Sequence, residues 1–499
     1  MGEDVKAPCF LNSKTKPSVI QYREMSDGTA FCPGPVSRRS FLEVGGTACG
    51  LGLSGLLEAQ AKNAAPGVSG KDTSVIFVWL PGGPPHMEMY DMKPQAPSEY
   101  RGQFMPIKTN VPGMEVCELF PRHAKIADKY NIIRSIHHGF ADHGGGHKRF
   151  LTGHKPATPT GTLNNTPCVG SMASAVLDDK RDTKGLPNYV VMGNGRVNSV
   201  DTFAFGSAYL GSHTHPYRIS ADPSLPNFKV DDVSLDRAMT DRLGDRNTLL
   251  KGFDNFRRDV DTSGLLGTMD VFNRKAMEMM TSSTVREAFD ITQEKDAVRE
   301  RFAMHPWGQQ AILARRLVER GVPWVTVVME NPYGVGGIPW LKEGVYNWDS
   351  HAVNCHIFKD AKVRFPLYDQ VITAMIEDLY ARGLDKRVLL VVTGEFGRTP
   401  RLNVRSGSRT KVDQPGRDHW PRAMSMLVSG GGMRTGQIIG ATNSKGEEPV
   451  QRAMTPNDLW ATVYQHLGVD YTHEFPDHAG RPMPILPFGD PIPELAPVT

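Results

Sequence analysis

The sequence has few cysteines and none of the short motifs that bind nucleotides, haem or redox-active dithiols. Its 499 residues include 6 cysteines, three of which precede residue 61. Only Cys117, Cys168 and Cys355 follow, so the rest of the chain can form at most one disulfide. This excludes a disulfide-stabilised scaffold. The sequence has no CxxC, CxxCH or P-loop pattern, and so nothing in it supports dithiol redox chemistry, covalent haem or P-loop nucleotide binding.

Strong charge of one sign and long apolar runs are also lacking. The net charge is +3 at pH 7, which gives no electrostatic reason to expect nucleic acid or a membrane surface as partner. The mildly apolar stretch at residues 44–57 is too short and too rich in glycine to span a bilayer. We therefore predict no nucleic-acid partner and no stable membrane anchor in the processed protein.

The first 61 residues have the parts of an export signal in order. A twin-arginine pattern at residues 37–42 (SRRSFL) is followed by the apolar stretch and by a small-residue cleavage site at residues 59–61 (AQA). We predict a twin-arginine (Tat) signal peptide at 1–61, a linker at 62–73 and a single domain at 74–499. The predicted partner is the Tat export machinery, and the predicted location is periplasmic or extracellular.

Strand-like and helix-like segments alternate along the predicted domain. Short apolar segments predict strands at 74–80, 130–136, 186–192, 322–329, 388–392 and 424–428. Helix-like periodicity covers about 234–321 and 365–382, and Thr455 caps a last helix through His466. Alternation of this kind predicts an α/β fold with a doubly wound, mainly parallel sheet flanked by helices.

The segment at residues 388–398 contains the strongest sequence signal for a site. Glu395 follows the buried strand directly and lies between two glycines, where open α/β sheets bind ligands. Arg398 is close by, and its guanidinium would suit a tetrahedral oxyanion. The alternative for any such arginine is a solvated surface charge.

Acidic and imidazole side chains in two other segments could complete a metal site. Asp349 and His351 are two residues apart, so in an extended segment they would face one ion together. Asp418 and His419 are adjacent, so one could be a ligand and the other its outer partner. Divalent ions accept this mixture of donors, and Zn, Ca, Mg and Mn all remain open. The alternatives are a surface loop and a turn.

A glycine and histidine segment, residues 142–156, is the next most informative. Three consecutive glycines, residues 144–146, suit a loop or a helix entry whose backbone N–H groups are free to bind an anion. His143 and His147 flank them. The alternative is a flexible glycine turn with exposed histidines.

These segments together resemble a known family. The blocks LPGGPPHMEMYDMKP, NWDSH, TGEFGRTP, GRDHWP and VSGGGMRTGQIIGATN resemble the DUF1501 family of secreted bacterial proteins, over about residues 74–486. That family is similar to the alkaline phosphatase and sulfatase superfamily. The resemblance implies a doubly wound α/β sheet with a divalent-metal site at the carboxyl ends of the strands.

The resemblance assigns roles to individual residues. Glu395 takes the place of the superfamily's strand-end aspartate, whereas Phe396 stands where a histidine or asparagine ligand would be. His419 is similar to the late histidine ligand. Asp349 and His351 are similar to the Asp/His pair of the phosphatase branch, with a shorter spacing.

The same comparison reveals departures from the superfamily pattern. The first-strand aspartates are absent near Pro81 and Gly82, and His86 or Asp91 would have to substitute for them. The segment Leu-Thr-Gly at 151–153 matches the end of the sulfatase motif. Counting back from it puts His143 at the nucleophile position and His147 at the arginine position.

The resemblance therefore predicts an exported, metal-dependent hydrolase of phosphate or sulfate esters, attacked by metal-bound water or by His143. The alternative is a degenerate protein that binds an anionic glycan or another anionic ligand without turnover. The predicted catalytic residues are His143, His147 and Arg398, and the predicted metal ligands are Asp349, His351, Glu395 and His419. The predicted outer or substrate-binding residues are His86, Asp91, Arg417 and Asp418.

Overall fold

The strand Ser74–Trp79 (β1) is buried along its whole length and lies inside an eight-stranded sheet. The computed structural model describes residues 72–161, 164–193, 205–230, 279–280 and 282–498. The predicted signal peptide, most of the linker and residues 231–278 of the predicted helical region lie outside the described residues.

Five of the other seven strands of this sheet occur at or near the predicted positions. The seven are Tyr130–Ile136 (β2), Tyr189–Met192 (β3), Tyr217–Ile219 (β4), Trp324–Val328 (β5), Val388–Thr393 (β6), Met424–Gly430 (β7) and Ile438–Ile439 (β8). Sequence analysis missed β4 and β8, which are only three and two residues long.

The strands are mainly parallel, as predicted. Their order across the sheet is β8-β2-β7-β6-β1-β5-β3-β4. Only β7 runs antiparallel to its neighbours β2 and β6. The register places Trp79 at the end of β1 beside Val328 of β5 and Thr393 of β6. The carboxyl ends of these three strands therefore form one level edge.

Nine α-helices occur in the described parts of the chain. They are His86–Met89 (α1), Pro121–Lys125 (α2), His143–Thr152 (α3), Val169–Leu177 (α4), Ser283–Phe289 (α5), Asp296–Arg301 (α6), Pro306–Glu319 (α7), Ile357–Ala381 (α8) and Pro456–Leu467 (α9). Short strand pairs join Pro106–Lys108 to Glu115–Cys117, Gly397–Arg398 to His419–Trp420, Asn403–Ser406 to Asp413–Gly416, Ala441–Thr442 to Pro449–Gln451, and Glu474–Pro476 to Pro482–Pro484.

Helices cover both faces of the sheet. Alternate residues of β1 accordingly pack in two different apolar clusters. Ile76 and Val78 pack in one apolar cluster with α7 and α8. Phe77 and Trp79 pack in the other cluster with α3, α4 and α9. A strand with both faces buried reads as a continuous apolar run, which is why β1 could be recognised from the sequence. The predicted doubly wound α/β fold is confirmed.

Helix α8 begins eight residues before the predicted start at 365. His356 caps it by accepting a hydrogen bond from the Lys359 N–H, and Asp360 pairs with Arg364 at 2.8 Å in the first turns. Pro366 lies inside the helix. A proline removes one backbone donor and normally marks a boundary, and here the buried ion pair and the apolar face keep the helix continuous.

The cysteines Cys117, Cys168 and Cys355 are all free and buried. Separately, none of the helices in the described ranges combines the length and the apolar character required to cross a bilayer.

Candidate metal centre

Glu395 is the buried carboxylate at the carboxyl end of β6. Its side chain is fully buried, and the Gly82 N–H donates to both carboxylate oxygens at 2.9 and 3.1 Å. His138 donates from Nε2 to the Glu395 carbonyl oxygen at 2.6 Å, since its Nδ1 accepts the Phe140 N–H. These contacts from the ends of β1 and β2 fix both the side chain and the backbone of Glu395.

Gly82 is required at its position for two reasons. Its φ is +107°, a region that only glycine enters readily. A Cβ at this position would come within 2.5 Å of the Asp349 backbone nitrogen. The turn after β1 therefore allows the Asp349 loop to approach Glu395 closely.

Helix α3 contributes two imidazoles on one face, one turn apart. His143 Nδ1 lies 2.8 Å from Glu395 Oε1, and His147 Nε2 lies 3.0 Å from the same oxygen. The His147 ring also packs edge-on against Trp79. Helix α9 supports α3, since Trp460 donates from its ring N–H to the Phe150 carbonyl oxygen at 2.6 Å.

Of the two alternatives predicted for residues 144–146, a loop or a helix entry, the structure has the helix entry, but its N–H groups are not free to bind an anion. The three glycines lie in the first turn of α3, and the Asp142 carboxylate caps the N–H groups of Gly144 and Gly145. The glycines are there for close approach. A Cβ on Gly144 would lie 2.3 Å from the Gly161 carbonyl oxygen, and one on Gly146 would lie 2.9 Å from the Phe396 ring. The glycine run lets α3 pack against the Glu395 segment.

Asp349 lies in an irregular loop between β5 and α8, and several basic groups approach its Oδ1. Arg398 Nη2 is 2.7 Å away, His351 Nε2 3.0 Å, His419 Nε2 3.2 Å and His143 Nε2 3.4 Å. Arg398 is fully buried and also donates to the carbonyl oxygens of Gly83 and Arg417. Its guanidinium therefore fixes Asp349 rather than facing open space.

The hydrogen-bond network assigns the ring protons of two histidines. His351 Nδ1 lies 2.6 Å from Asp418 Oδ1, and His419 Nδ1 lies 2.6 Å from the Ala141 carbonyl oxygen. Each Nδ1 must carry the proton, since its partner can only accept. A neutral imidazole has one N–H, so each Nε2 then presents a lone pair.

These two lone pairs face each other and a carboxylate. His351 Nε2 and His419 Nε2 are 2.8 Å apart, and both lie 3.0–3.2 Å from Asp349 Oδ1. Three acceptors this close repel one another unless a cation or a shared proton lies among them. A metal-binding histidine usually donates the N–H of one ring nitrogen to a fixed acceptor and directs the lone pair of the other nitrogen at the ion.

The separations between donor atoms fit a coordination sphere. Metal–nitrogen and metal–oxygen bonds of about 2.1 Å put neighbouring ligands about 2.9–3.4 Å apart. Two groups of potential ligands share His143, one with His147 and Glu395 and the other with Asp349 and His419. His351 lies beside the second group. We call His143, His147, Asp349, His351, Glu395 and His419 the candidate centre.

The charges of the candidate centre are strongly perturbed. Burial raises the pKa of Asp349 and of Glu395, but their basic neighbours outweigh it and lower both pKa values below the ordinary range. Burial lowers the pKa of His143, but Asp349 and Glu395 raise it above its ordinary value. Burial is the main cause that lowers the pKa of His419. Both carboxylates are therefore ionised at neutral pH.

Three predicted outer residues have their partners elsewhere. His86 is bonded to the Gly446 carbonyl at 3.0 Å, and Asp91 pairs with Lys93 at 2.9 Å. Arg417 forms a buried pair with Glu88 at 2.6 Å. Of the predicted outer residues, only Asp418 touches the candidate centre, through His351.

Sequence reasoning missed the roles of Gly82 and His138 around Glu395. Both lie next to strand ends, which was a usable signal. For Phe396, sequence reasoning noted only that it stands where a histidine or asparagine ligand would be. The Phe396 ring packs against the rings of His419 and His143, with centroids 4.5 and 5.4 Å away. It therefore covers the imidazoles with an apolar surface.

Comparison with known proteins gives a family but no activity. The model of the family described as "Protein of unknown function (DUF1501)" matches residues 72–496. The chain belongs to the DUF1501 family. No curated protein shows significant sequence similarity to this DUF1501 chain.

Solved structures of remote similarity come from the alkaline phosphatase superfamily and from sulfatases. A Vibrio parahaemolyticus protein of that superfamily is 10% identical, with 81% of this chain and 68% of that chain covered and a TM-score of 0.33. A putative sulfatase from Bacteroides thetaiotaomicron is 10% identical over 80% and 71% of the two chains, with a TM-score of 0.35. The lipoteichoic acid synthase LtaP from Listeria monocytogenes is 10% identical over 82% and 78%, with a TM-score of 0.33.

Proposed function

We propose that this DUF1501 protein is an exported, metal-dependent hydrolase of phosphate or sulfate esters. The observation that carries the proposal is the convergence of two imidazole lone pairs, from His351 and His419, on one oxygen of Asp349. The same ionised carboxylate lies beside His143, which links it to Glu395 and His147.

The donor set favours Zn²⁺ over Mg²⁺, Ca²⁺ or Mn²⁺. Four imidazoles and two carboxylates suit Zn²⁺, whereas the other three ions prefer oxygen ligands. When bound, such an ion polarises an ester oxygen and lowers the pKa of a water molecule. Arg398 holds Asp349, Gly82 holds Glu395 and Asp418 orients His351, so the ligands are positioned before an ion arrives.

We assign His143 to ion binding rather than to nucleophilic attack. Its Nδ1 lies 2.8 Å from Glu395 and its Nε2 lies 3.4 Å from Asp349, so both nitrogens face carboxylates. A nucleophile needs one nitrogen directed at the substrate. His143→Ala should therefore lower both metal content and turnover. Loss of turnover with full metal content would restore the nucleophile role.

Binding without turnover is the second candidate function. It is favoured by Phe396, whose apolar ring covers His143 and His419, and by the absence of a carboxylate beside Gly82 in the turn after β1. In that case the ion would hold an anionic glycan or another anionic ligand without cleaving it.

Elemental analysis of protein purified after native export, followed by assays on phosphate and sulfate esters, distinguishes these functions. We expect bound transition metal and ester hydrolysis that a chelator removes. Stoichiometric metal with no hydrolysis of any ester would select the binding protein. Protein without metal after native export would contradict both candidates.

Export by the Tat pathway rests on the SRRSFL segment and is tested separately. Replacing Arg38 and Arg39 with lysine should leave unprocessed precursor in the cytoplasm, because the pathway reads the arginine pair. Immunoblots of cell fractions measure this. Normal processing and export of the double variant would contradict the prediction.

A further inference from the structure

A cavity of about 670 Å³ opens beside the candidate centre. Its walls include His419 and Ala141, the same pair whose hydrogen bond orients the His419 ring. The other lining residues include Arg149, Arg422 and His137. The cavity therefore borders the candidate centre at His419 and has several basic side chains in its walls.

Arg149 is the unusual group in this cavity. It is only 6% exposed, and its Nη1 has no hydrogen-bond partner among the described residues. Its guanidinium stacks on the Phe488 ring at 5.5 Å. A buried guanidinium with unsatisfied donors is costly, so native structures almost always supply an acceptor.

The carboxylate that acts on Arg149 has its hydrogen bonds elsewhere. Asp458 is the carboxylate whose charge acts on Arg149. Its Oδ2 accepts the Thr455 N–H at 2.7 Å, which caps α9, and its Oδ1 accepts the Asp490 N–H at 3.1 Å. No ion pair joins it to Arg149 within the described part of the chain.

The rest of the cavity is also suited to an anion. Arg422 is largely exposed and reaches Glu448 at 3.3 Å, a surface pair that a ligand can exchange easily. His137 is half-buried on the same wall. A planar guanidinium, a second arginine and an imidazole around one space form a donor set for a tetrahedral oxyanion or a carboxylate.

We propose that this cavity is an anion subsite in which Arg149 binds a second anionic group of the ligand whose first group occupies the candidate centre. This inference rests on the proposed function for its substrate class, which becomes esters with an additional sulfate, phosphate or carboxylate group. The anion subsite itself needs no metal, since none of its basic groups is a ligand of the candidate centre except His419 at its border.

A crystal soak of chelator-treated, metal-free wild-type protein with tungstate tests the subsite. We expect tungstate within hydrogen-bonding distance of the Arg149 guanidinium. Tungstate at other positions only, or none, would overturn the proposal. Because the protein is metal-free, failure of the proposed hydrolase activity leaves this result unaffected, and failure here leaves the metal analysis unaffected.

Calorimetric titration with inorganic sulfate tests the role of Arg149 in solution. Arg149→Met should weaken sulfate binding at least tenfold, since charge-assisted hydrogen bonds are lost. Arg149→Lys should lie between the two, because it keeps the charge and loses the planar fork. Lys155→Met, which removes an exposed charge outside the cavity, is the matched control and should bind as wild type. Equal affinity of wild type and both Arg149 variants would overturn the proposal.

Competition separates a ligand substituent from a free anion. Monosulfated and disulfated forms of one sugar without a carboxylate, N-acetylglucosamine, are compared for displacement of sulfate from the metal-loaded protein. We expect the disulfated form to act at a concentration at least tenfold lower in wild type, and the difference to disappear in Arg149→Met. Equal displacement, or none, would overturn the assignment to a second group on the ligand.

Discussion

Two buried charged clusters in this protein differ in how their donors and acceptors are matched. In the pair of Arg417 and Glu88 both side chains are fully buried, and the guanidinium meets the carboxylate at 2.6–3.0 Å. Its remaining N–H groups reach carbonyl oxygens of Thr399 and Tyr100. Every donor faces an acceptor.

The candidate centre has acceptors that face acceptors. The lone pairs of His351 and His419 point at one oxygen of Asp349, and outer partners hold them there. The Arg417–Glu88 pair, called here the closed pair, satisfies its own donors and acceptors, whereas the lone pairs of the candidate centre require a cation or a shared proton among them. This difference separates a structural cluster from a binding one more clearly than burial or charge does.

The largest expected effect on stability comes from breaking the Arg417–Glu88 pair. Arg417→Met leaves Glu88 buried and unpaired, which typically costs about 3–5 kcal/mol of stability. Chemical denaturation of the purified variant measures it. Metal content per folded molecule should not change. A loss of metal from folded Arg417→Met would break the comparison, because it would place Arg417 in the binding cluster.

The pH dependence of stability gives the next effect. His86 belongs to helix α1, as does Glu88 of the closed pair, and burial lowers the pKa of His86 to about 4. The unfolded chain binds a proton near pH 6.5 and the folded chain does not, so the stability contribution of His86 is full above pH 6.5 and falls as the pH decreases toward 4. This difference corresponds to about 2 kcal/mol less stability at pH 5 than at pH 8.

Denaturation curves at the two pH values check this prediction. In His86→Gln the difference between pH 8 and pH 5 should shrink. A difference identical to that of wild type would show that His86 is not the group responsible.

Removing one lone pair from the candidate centre should weaken metal binding without unfolding the protein. His351→Ala and His419→Ala should each lower metal affinity at least tenfold, which corresponds to about 1.4 kcal/mol of binding free energy. Competition with a chromogenic chelator measures the affinity. His473→Ala, at an exposed histidine, is the control. Equal affinity in all three variants and wild type would contradict the assignment.

The smallest effect concerns Asp418, which acts through His351. Asp418→Asn keeps the shape and removes the charge that fixes the ring proton on Nδ1. Such outer partners are worth about tenfold in metal affinity. The loss should be absent in the His351→Ala background, because Asp418 then has no imidazole to orient. An equal loss in both backgrounds would assign Asp418 a separate role.

The sequence predicted the strands and the convergence of the three site segments for physical reasons. Strand β1 is apolar on both faces, and Glu395 directly follows the similar strand β6, so both were visible in the residue pattern. The proximity of Asp349 and His351 was predicted for an extended segment, whereas they lie in an irregular loop in which the His351 N–H donates to the Asp349 carbonyl oxygen at 3.0 Å. The rule that ligands bind at strand ends supplied the rest.

Other features could not be predicted because they depend on contacts between distant segments. For the glycines at 144–146 the sequence left a loop and a helix entry open, and only the approach of Gly161 and Phe396 explains why glycines lie in this helix. The partners of Asp91 and Arg417, which are Lys93 and Glu88, likewise depend on tertiary packing. The sequence shows that a charge is present but not which charge it meets.

Anomalous diffraction at the absorption edge of the metal found by elemental analysis tests the central claim most directly. Crystals of the natively exported protein are required. The account predicts a peak about 2.1 Å from His419 Nε2, His351 Nε2 and an Asp349 oxygen. A peak elsewhere, or a structure in which these three atoms keep their contacts and no peak appears, would contradict it.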